Sequence, residues 1–350
     1  MKKHISYPSI EQFRNICSSI IRHVSFAGYD EENNPIYNHL ATKPTLTFKG
    51  TVKLHGTNAG VSYNYNDGLW AQSRENIITP LKDNAGFAFF VETHTNAFIA
   101  LFDRLVTNNK LDLNSYTLTI FGEWVGKGIQ KSVAISNIEK SFFIFGAKIS
   151  DPENEQKSYW LETTGLRSPT DKIYNIEDYK TFSVDIDFNM PQLIQNDLID
   201  MTIGVENECP VAADFGFKGT GEGIVFTCDY NGIVYRFKSK GEKHSISKVK
   251  TLNSVDTEKL NNIAEFIEYS VTENRFNQAI QSVFGENEPD IKGIADVMRW
   301  MVGDILKEES DTMVANGLEP KEIGKYVSNK VRPMFFEFLN KKTFENTNVS

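Results

Sequence analysis

Lys53 is the residue whose type and position could best do covalent chemistry. It ends an alternating apolar run that contains Leu46, Phe48 and Val52, and Gly56 follows three residues later. The alternation predicts a strand that ends at the lysine, and the glycine allows the backbone to turn tightly. A lysine held at the mouth of a pocket could attack the α-phosphate of a nucleotide. An ordinary surface lysine before a turn would show the same local pattern, so the rest of the chain must decide between the two.

Three further charged residues are predicted to lie at strand ends. A hairpin with its turn at residues 66–68 is expected to return Arg74 to the neighbourhood of Lys53. The guanidinium could bind a phosphate in a bidentate way there, although a solvated arginine is the simpler alternative. Glu123 follows a glycine at the end of another predicted strand, and Glu222 lies between two glycines. The Glu123 carboxylate could bind a ribose hydroxyl or a metal-bound water, and the flanking glycines leave the Glu222 carboxylate open on one side.

Basic residues are concentrated between residues 236 and 250, whereas the whole chain carries a net charge of -9. The six basic residues, against the single acidic Glu242, are Arg236, Lys238, Lys240, Lys243, Lys248 and Lys250. A turn at 231–232 predicts a hairpin, and the first three cations share one face of its returning strand. A triphosphate could neutralise them; an edge strand protected by lysines is the alternative.

Hydrophobic periodicity predicts the elements that position these residues. We expect an amphipathic helix over 7–21 with Ser9 as its N-cap, a loop over 28–44 and a helix over 84–106. The run 142–147 is apolar on both faces, which predicts a central strand. Residues 150–215 contain turns and polar loops, and we find no chemistry there.

From about residue 256 the periodicity becomes helical, with four helices expected. Thr272 is predicted to cap the second helix and Gly285 to end it. Pro333 is predicted to interrupt the fourth helix after Val331. We therefore expect a first domain over 1–250, an all-helical domain over 256–340 and a frayed tail over 341–350.

The composition is that of a soluble globular protein, with 40% hydrophobic and 24% charged residues. No apolar stretch approaches the roughly 20 residues of a membrane span, so we expect no membrane contact and a cytoplasmic location. Cys17, Cys209 and Cys228 lack metal-ligand spacing. They are expected to be free thiols and receive no role.

These features occur in a fixed order: Lys53-Leu54-His55-Gly56, Ser73-Arg74, Phe121-Gly122-Glu123, the aromatic run 142–145, Glu222-Gly223 and Lys238-Ser239-Lys240. The set resembles the covalent nucleotidyltransferase superfamily of RNA and DNA ligases and capping enzymes. It is most similar to the phage RNA ligase 2 family, which includes trypanosome editing ligases. The histidine after the lysine, the stretch 121–130 and the helical C-terminal region carry that choice. The resemblance implies an α+β fold in which an ATP-grasp-like ligase domain of antiparallel sheets with flanking helices precedes the small helical domain.

The resemblance also implies a reaction and the residues that perform it. Lys53 would take AMP from ATP, with Mg²⁺ or Mn²⁺ held by Glu222, and Lys238 and Lys240 would assist catalysis. The AMP would pass to an RNA 5′-phosphate, which a 3′-hydroxyl then joins. The implied nucleotide contacts are Val52, Leu54, His55, Gly56, Asn58, Arg74, Glu123, Phe142 as the adenine stacker, and Glu222. Val52 departs from the family, which often has glutamate at this position.

The expected partner is RNA with a 5′-phosphate and a 3′-hydroxyl, at a nick in a duplex, bound by a monomeric protein in the cytoplasm or in a phage-infected host. The helical domain would grip this RNA through Arg275, Lys292, Arg299 and Arg332. Three alternatives stay open: a DNA ligase, a GTP-dependent capping enzyme and a non-catalytic RNA-binding relic. Histidine at 55 and the absence of predicted strands after residue 250 disfavour the capping enzyme.

Overall fold

The structure is a computed structural model that describes residues 2–38, 40–151, 153–241, 257–285, 287–309, 313 and 318–347. The chain forms two compact units: one comprises Met1–Ser18 and Thr45–Asn253, the other Ser19–Pro44 and Ser254–Ser350. The predicted boundary at 250–256 lies outside the described residues, as do Lys243, Lys248 and Lys250 of the basic cluster. The grouping of Ser19–Pro44 with the C-terminal region was not predicted.

The strands are β1 (Glu11–Gln12), β2 (Phe26–Tyr29), β3 (Pro35–Tyr37), β4 (Thr45–Lys53), β5 (Thr57–Asn64), β6 (Gly68–Ser73), β7 (Ile77–Ile78), β8 (Thr117–Val125), β9 (Ser141–Ser150), β10 (Tyr159–Leu161), β11 (Ile173–Asn175), β12 (Thr181–Asp187), β13 (Gly223–Tyr230) and β14 (Ile233–Lys240). The helices are α1 (Phe13–Ser25), α2 (Phe87–Thr93), α3 (Thr95–Asn109), α4 (Gln195–Asn207), α5 (Pro210–Asp214), α6 (Thr257–Ser270), α7 (Glu273–Phe284), α8 (Ile294–Glu308) and α9 (Pro320–Thr347).

Two sheets build the first unit. One has the order β1-β14-β13-β4-β12, and the other has the order β10-β9-β8-β5-β6-β7 with β11 also paired to β9. In the first sheet, Gly223 pairs with Lys53 on one side and with Lys240 on the other. In the second sheet, Asn58 pairs with Glu123. The predicted mixed α+β fold with largely antiparallel sheets is confirmed, and its registers place the predicted site residues at neighbouring strand ends.

The predicted hairpins are present and two predicted helices are placed differently. The predicted helix over 84–106 is present as two helices, because α2 begins at Phe87 and is separated from α3 at His94. Asp83 sets the later start, since its carboxylate accepts hydrogen bonds from the backbone N–H groups of Ala88 at 2.7 Å and Phe89 at 2.9 Å. Phe87, Phe98 and other apolar side chains of these helices pack in a core against the second sheet.

The first helix was also misplaced, since α1 begins at Phe13 rather than within residues 7–10. The preceding segment is extended, because β1 pairs in parallel with β14. In addition, the Ile5 N–H donates to Gln72 Oε1 at 3.1 Å, and Gln72 Nε2 donates to the Ile5 carbonyl at 2.5 Å. These long-range bonds outweigh the local helical pattern. The predicted loop over 28–44 contains the β2–β3 hairpin, which the periodicity did not indicate.

The second unit contains the four predicted C-terminal helices around one apolar core. Thr272 caps α7 as predicted, with its hydroxyl accepting the Arg275 N–H at 3.2 Å, and Gly285 follows the helix with φ 57°. The predicted end at Val331 is wrong, because α9 continues through Pro333 to Thr347. Val331 and Phe335 are both fully buried on either side of the proline, so packing maintains the helix despite one missing backbone hydrogen bond. Accordingly, the expected tail is helical through Thr347, and residues 348–350 lie outside the described residues.

Candidate active site

The turn after β4 fixes Lys53 between two strand ends. Its Nζ lies 2.7 Å from Glu222 Oε2, and the Gly56 N–H donates to Glu123 Oε1 at 3.0 Å. The Gly56 carbonyl accepts from Gln130 Nε2 at 3.0 Å. A Cβ at Gly56 would stand 2.3 Å from the Trp124 carbonyl oxygen, so only glycine fits this approach. The predicted tight turn is present because the end of β4 and β8 pack together there.

Glu222 is a buried anion shared by three nitrogen-bearing side chains. Its Oε1 lies 2.6 Å from Lys240 Nζ, and its Oε2 contacts Lys53 at 2.7 Å and His55 Nδ1 at 3.3 Å. Only 2% of its side chain is exposed. Burial alone would raise the pKa of Glu222, but the hydrogen bonds from His55, Lys240 and Lys53 and the Lys53 charge hold it well below its usual range. Glu222 is therefore a fixed negative charge.

A cavity of about 450 Å³ opens beside this cluster. The sequence-predicted residues that line it are Val52, Lys53, Leu54, Gly56, Asn58, Arg74, Glu123, Lys238 and Lys240. Glu222 contacts Lys53 directly, and His55 contacts Glu222. The fold thus brings together every predicted nucleotide contact except Phe142, from strands that are far apart in the chain.

The charge in the cavity is predominantly positive. Lys238 has a lowered pKa, chiefly because of burial and then because of the neighbouring charges of Lys240, Lys53 and Arg74. A phosphate group placed among these cations would relieve their mutual repulsion. Arg74 remains mostly exposed, with its Nε 3.4 Å from Glu75, so its guanidinium is accessible. The arrangement suits a polyphosphate.

Glu123 is the second carboxylate that borders the cavity. Burial raises the pKa of this group to about 7, opposed by the Lys53 charge and by the hydrogen bond from Gly56. Its contact with the Gly56 N–H ties the carboxylate to the turn after Lys53. With a pKa of about 7, the carboxyl group can accept or donate a hydrogen bond near neutral pH.

The aromatic assignment is corrected by the structure. Phe142 is fully buried on the other face of β9, with ring centroids 5.0 Å from Phe87 and 6.0 Å from Phe98. Phe143 and Phe145 line the cavity. Strand alternation puts residues 142 and 143 on opposite faces, and only the observed pairing of Phe143 with Glu123 shows which face borders the site. Phe142 packs in the core and is not the stacking residue.

Part of the cavity wall was missed by sequence reasoning. The segment Tyr7, Pro8, Ser9 and Ile10 lines it, as do Ile176 and the β13 residues Val225 and Thr227. No local signal marks these residues as a wall, because their placement depends on pairing between distant segments. The alternating pattern of β13 is the one available clue, since Val225 and Thr227 share a face.

Arg236 shares a strand face with Lys238 and Lys240, as predicted, but has a different environment. Its guanidinium lies 4.1 Å from the ring centroid of Trp160 and 5.4 Å from that of Tyr7. Burial lowers the pKa of Arg236. This cation–π arrangement holds the Tyr7 segment against β14, so Arg236 supports the wall rather than facing a phosphate.

The predicted RNA contacts of the helical unit divide into two groups. The Arg275 guanidinium forms ion pairs with Asp304 at 2.9 Å and Glu309 at 2.7 Å, and its side chain is only 16% exposed. Arg275 therefore stabilises the helical unit, which corrects its predicted role as an RNA contact. Lys292, Arg299 and Arg332 are exposed, and their role in RNA binding stays a prediction.

The part of the chain that the structure describes contains no group of three or more His, Cys, Asp or Glu side chains that could hold a metal ion by itself. No helix among those residues is long and apolar enough to cross a membrane. The three cysteines are free and buried, as expected.

A family model described as RNA ligase matches residues 47–250. Solved structures of the Naegleria gruberi RNA ligase are also similar: a variant with AMP and Mn (16% identity, TM-score 0.42), a variant with ATP and Mn (17%, 0.43) and the protein with PPi (18%, 0.38). Each alignment covers 69% of this chain and 57% of the Naegleria chain. No curated protein sequence matches significantly. The match to the family model includes Lys53, Glu123, Glu222, Lys238 and Lys240 and spans more than half of the sequence, so the chain belongs to the RNA ligase family.

Proposed function

We propose that the protein is an ATP-dependent RNA ligase that works through a lysyl-AMP intermediate on Lys53. The convergence of Lys53, Glu222 and Lys240 at 2.6–2.7 Å beside a positively charged cavity carries the proposal. An amine fixed at the mouth of such a cavity meets the geometric requirement for attack on a bound nucleotide. A surface lysine before a turn would have no reason to share a buried carboxylate with a second lysine.

In the first step, the neutral amine of Lys53 attacks the α-phosphorus of ATP. A P–N bond forms, the bond to pyrophosphate breaks, and the amine loses a proton to solvent. The low pKa of Glu222 makes it a poor base, so its role is to hold and orient Lys53 before the attack. AMP then passes to the 5′-phosphate oxygen of RNA, and a 3′-hydroxyl displaces AMP to form the phosphodiester.

The cavity residues have distinct proposed roles. Lys238, Lys240 and Arg74 neutralise the phosphates, and Glu123 binds a ribose hydroxyl. Phe143 or Phe145 takes the base-stacking role that the sequence had assigned to Phe142. These roles follow from the chemistry of each side chain and from its place in the lining.

A Mg²⁺ or Mn²⁺ shared with the nucleotide is proposed to reach Glu222 through a water molecule, because Lys53, His55 and Lys240 already contact its two oxygens. Mg²⁺ typically takes one or two carboxylates and completes its coordination with water and phosphate oxygens. Glu222 is the carboxylate nearest to Lys53, and the described residues supply no complete cage of their own. Bound there, the ion would offset charge on the reacting phosphate.

The proposed substrate is RNA with a 5′-phosphate and a 3′-hydroxyl, at a nick in a duplex. The helical unit with exposed Lys292, Arg299 and Arg332 is proposed to hold the duplex through phosphates and 2′-hydroxyls. In this proposal the first unit performs the nucleotide chemistry and the second unit contributes part of the RNA binding.

The test is covalent labelling with α-labelled ATP and Mg²⁺, followed by a denaturing gel. Wild type should retain label and Lys53→Ala should not. Lys49→Ala is the matched control, since Lys49 is exposed on the same strand and does not line the cavity. Labelling with GTP instead of ATP would indicate a capping-type enzyme, and sealing of nicked DNA but not RNA would indicate a DNA ligase. Absence of label on the wild type would refute the proposed chemistry.

A further inference from the structure

A second, shallower cavity of about 350 Å³ lies in the first unit at the ends of β8 and β9. It is lined by Lys127, Lys172, Glu139 and the aromatic residues Tyr174, Phe215 and Phe217, and we call it the basic groove. Phe217 is 38% exposed, so its ring is accessible to a partner. The nucleotide chemistry uses none of these residues, and among them Lys127 alone falls within the stretch 121–130 that carries the family resemblance.

The groove and the nucleotide cavity are lined by residues two apart on β9, Ser141 for the groove and Phe143 for the cavity. Glu123 pairs with Phe143 at the edge of the nucleotide cavity, and Val125 pairs with Ser141 at the edge of the groove. Two residues along a strand span about 7 Å. Residues two apart also share a face, so both openings lie on one side of β8 and β9.

The walls of the groove are fixed by backbone bonds. The N–H of Lys127 donates to the Ile138 carbonyl at 3.0 Å, and the Phe142 N–H donates to the Lys172 carbonyl at 3.0 Å. The Phe217 N–H donates to the Ala212 carbonyl at 2.9 Å. The ring of Phe215 packs 5.2 Å from that of Tyr174, which keeps the aromatic side rigid. A ligand would therefore meet a preformed surface.

The chemistry of the groove matches a nucleotide chain. Two lysines offer phosphate contacts against one glutamate, Glu139, which binds Lys172. The exposed ring of Phe217 offers a surface on which a base can stack, and a lysine beside such a ring is typical of sites that bind single nucleic-acid strands. Because Glu139 pairs with Lys172, the charge of Lys127 gives the lining a net positive charge, which favours an anionic partner.

We infer that the basic groove binds the RNA strand next to the joining site, with a base stacked on Phe217 and the backbone held by Lys127. The inference rests on the proposed function for the identity of the strand, and it gives the first unit its own RNA contact. Lys127 of the groove belongs to the loop that leads to Gln130, and Gln130 bonds Gly56 in the turn after Lys53.

The test compares Phe217→Ala and Lys127→Ala with wild type in direct binding of a fluorescent, 5′-phosphorylated nicked RNA duplex. Phe217→Ala should weaken binding on the order of tenfold through lost stacking. Lys127→Ala should reduce the slope of log affinity against log salt by about 0.7–0.9. Tyr65→Ala and Lys218→Ala are matched controls, because both residues are exposed and neither lines the groove. Both controls should bind RNA as wild type does.

Self-adenylylation separates this inference from the proposed function. Both groove variants should label with ATP as well as wild type does, and their thermal midpoints should be unchanged because the altered side chains are exposed. Unchanged RNA affinity and salt dependence in both groove variants would overturn the inference even if the wild type labels normally. Loss of labelling in the wild type would refute the proposed chemistry, while the binding comparison would still decide whether RNA occupies the groove.

Discussion

Replacing Glu222 with glutamine tests whether this carboxylate is the counter-ion of the site. The variant keeps the side-chain shape but leaves Lys53 and Lys240 without the charge that lies 2.7 Å and 2.6 Å from them. Removing one partner of a buried ion pair costs about 3–5 kcal/mol, and the partial exposure of both lysines places the expected loss near the lower value. For a unit of this size, that corresponds to a fall of about 6–12 °C in the thermal midpoint.

Thermal unfolding followed by circular dichroism measures this loss at neutral pH. The matched control is Glu155→Gln, which removes an ion pair whose glutamate is 76% exposed and which should cost less than about 1 kcal/mol. Pyrophosphate should raise the midpoint of Glu222→Gln more than that of wild type, because it supplies the missing negative charge.

The pH dependence provides a second readout of the same variant. The pKa of Glu222 lies below its ordinary value of 4.5, so its contribution is complete above that value and is lost as the pH falls toward the folded pKa. The thermal midpoints of wild type and Glu222→Gln should therefore become more similar as the pH is lowered. A midpoint equal to that of wild type at neutral pH would refute the view that Glu222 neutralises the two lysines.

Three further predictions concern other residues of the chain. Burial raises the pKa of Glu123 to about 7, so the folded protein holds a proton that the unfolded chain releases above 4.5. The urea-unfolding free energy of wild type should consequently fall relative to Glu123→Gln between about pH 5 and pH 8, and parallel pH profiles would contradict this. Gly56→Ala would place a methyl 2.3 Å from the Trp124 carbonyl oxygen and displace the turn after Lys53, so labelling with ATP should drop about 100-fold. The control Gly204→Ala should label normally, because the space around Gly204 is open. Arg275→Ala should destabilise the helical unit by about 2–4 kcal/mol in urea unfolding, because Asp304 and Glu309 lose their partner. The exposed control Arg299→Ala should cost less than about 0.5 kcal/mol. Equal effects of the two substitutions would show that the Arg275 ion pairs do not stabilise the unit.

The parts of the site that follow from local rules could be predicted from the sequence. Period-two alternation and turn residues located β4 and the hairpin of β5 and β6. They also located the hairpin of β13 and β14, with its cations on one face. These signals are short-range, because a strand face and a two-residue turn are set by neighbouring side chains.

The parts that depend on long-range pairing could not be predicted. In the run 142–145 both faces of β9 are buried, so alternation cannot show whether Phe142 or Phe143 faces the site. In the sequence, an arginine that binds RNA and an arginine in an ion pair look the same, and only the fold shows that Asp304 and Glu309 bind Arg275. Pro333 is locally a helix breaker, yet the burial of Val331 and Phe335 overrides it.

The wall formed by Tyr7 to Ile10 has a consequence for the order in which the protein is assembled during synthesis. This segment is translated before Trp160 of β10, on which Tyr7 packs. The residues on either side of it also wait for later partners, since Ile5 bonds Gln72 of β6 and β1 pairs with β14. Contacts between segments so far apart form slowly, because a long loop must close first. The cavity beside Lys53 therefore lacks one of its walls until β14, which ends at Lys240, has been translated.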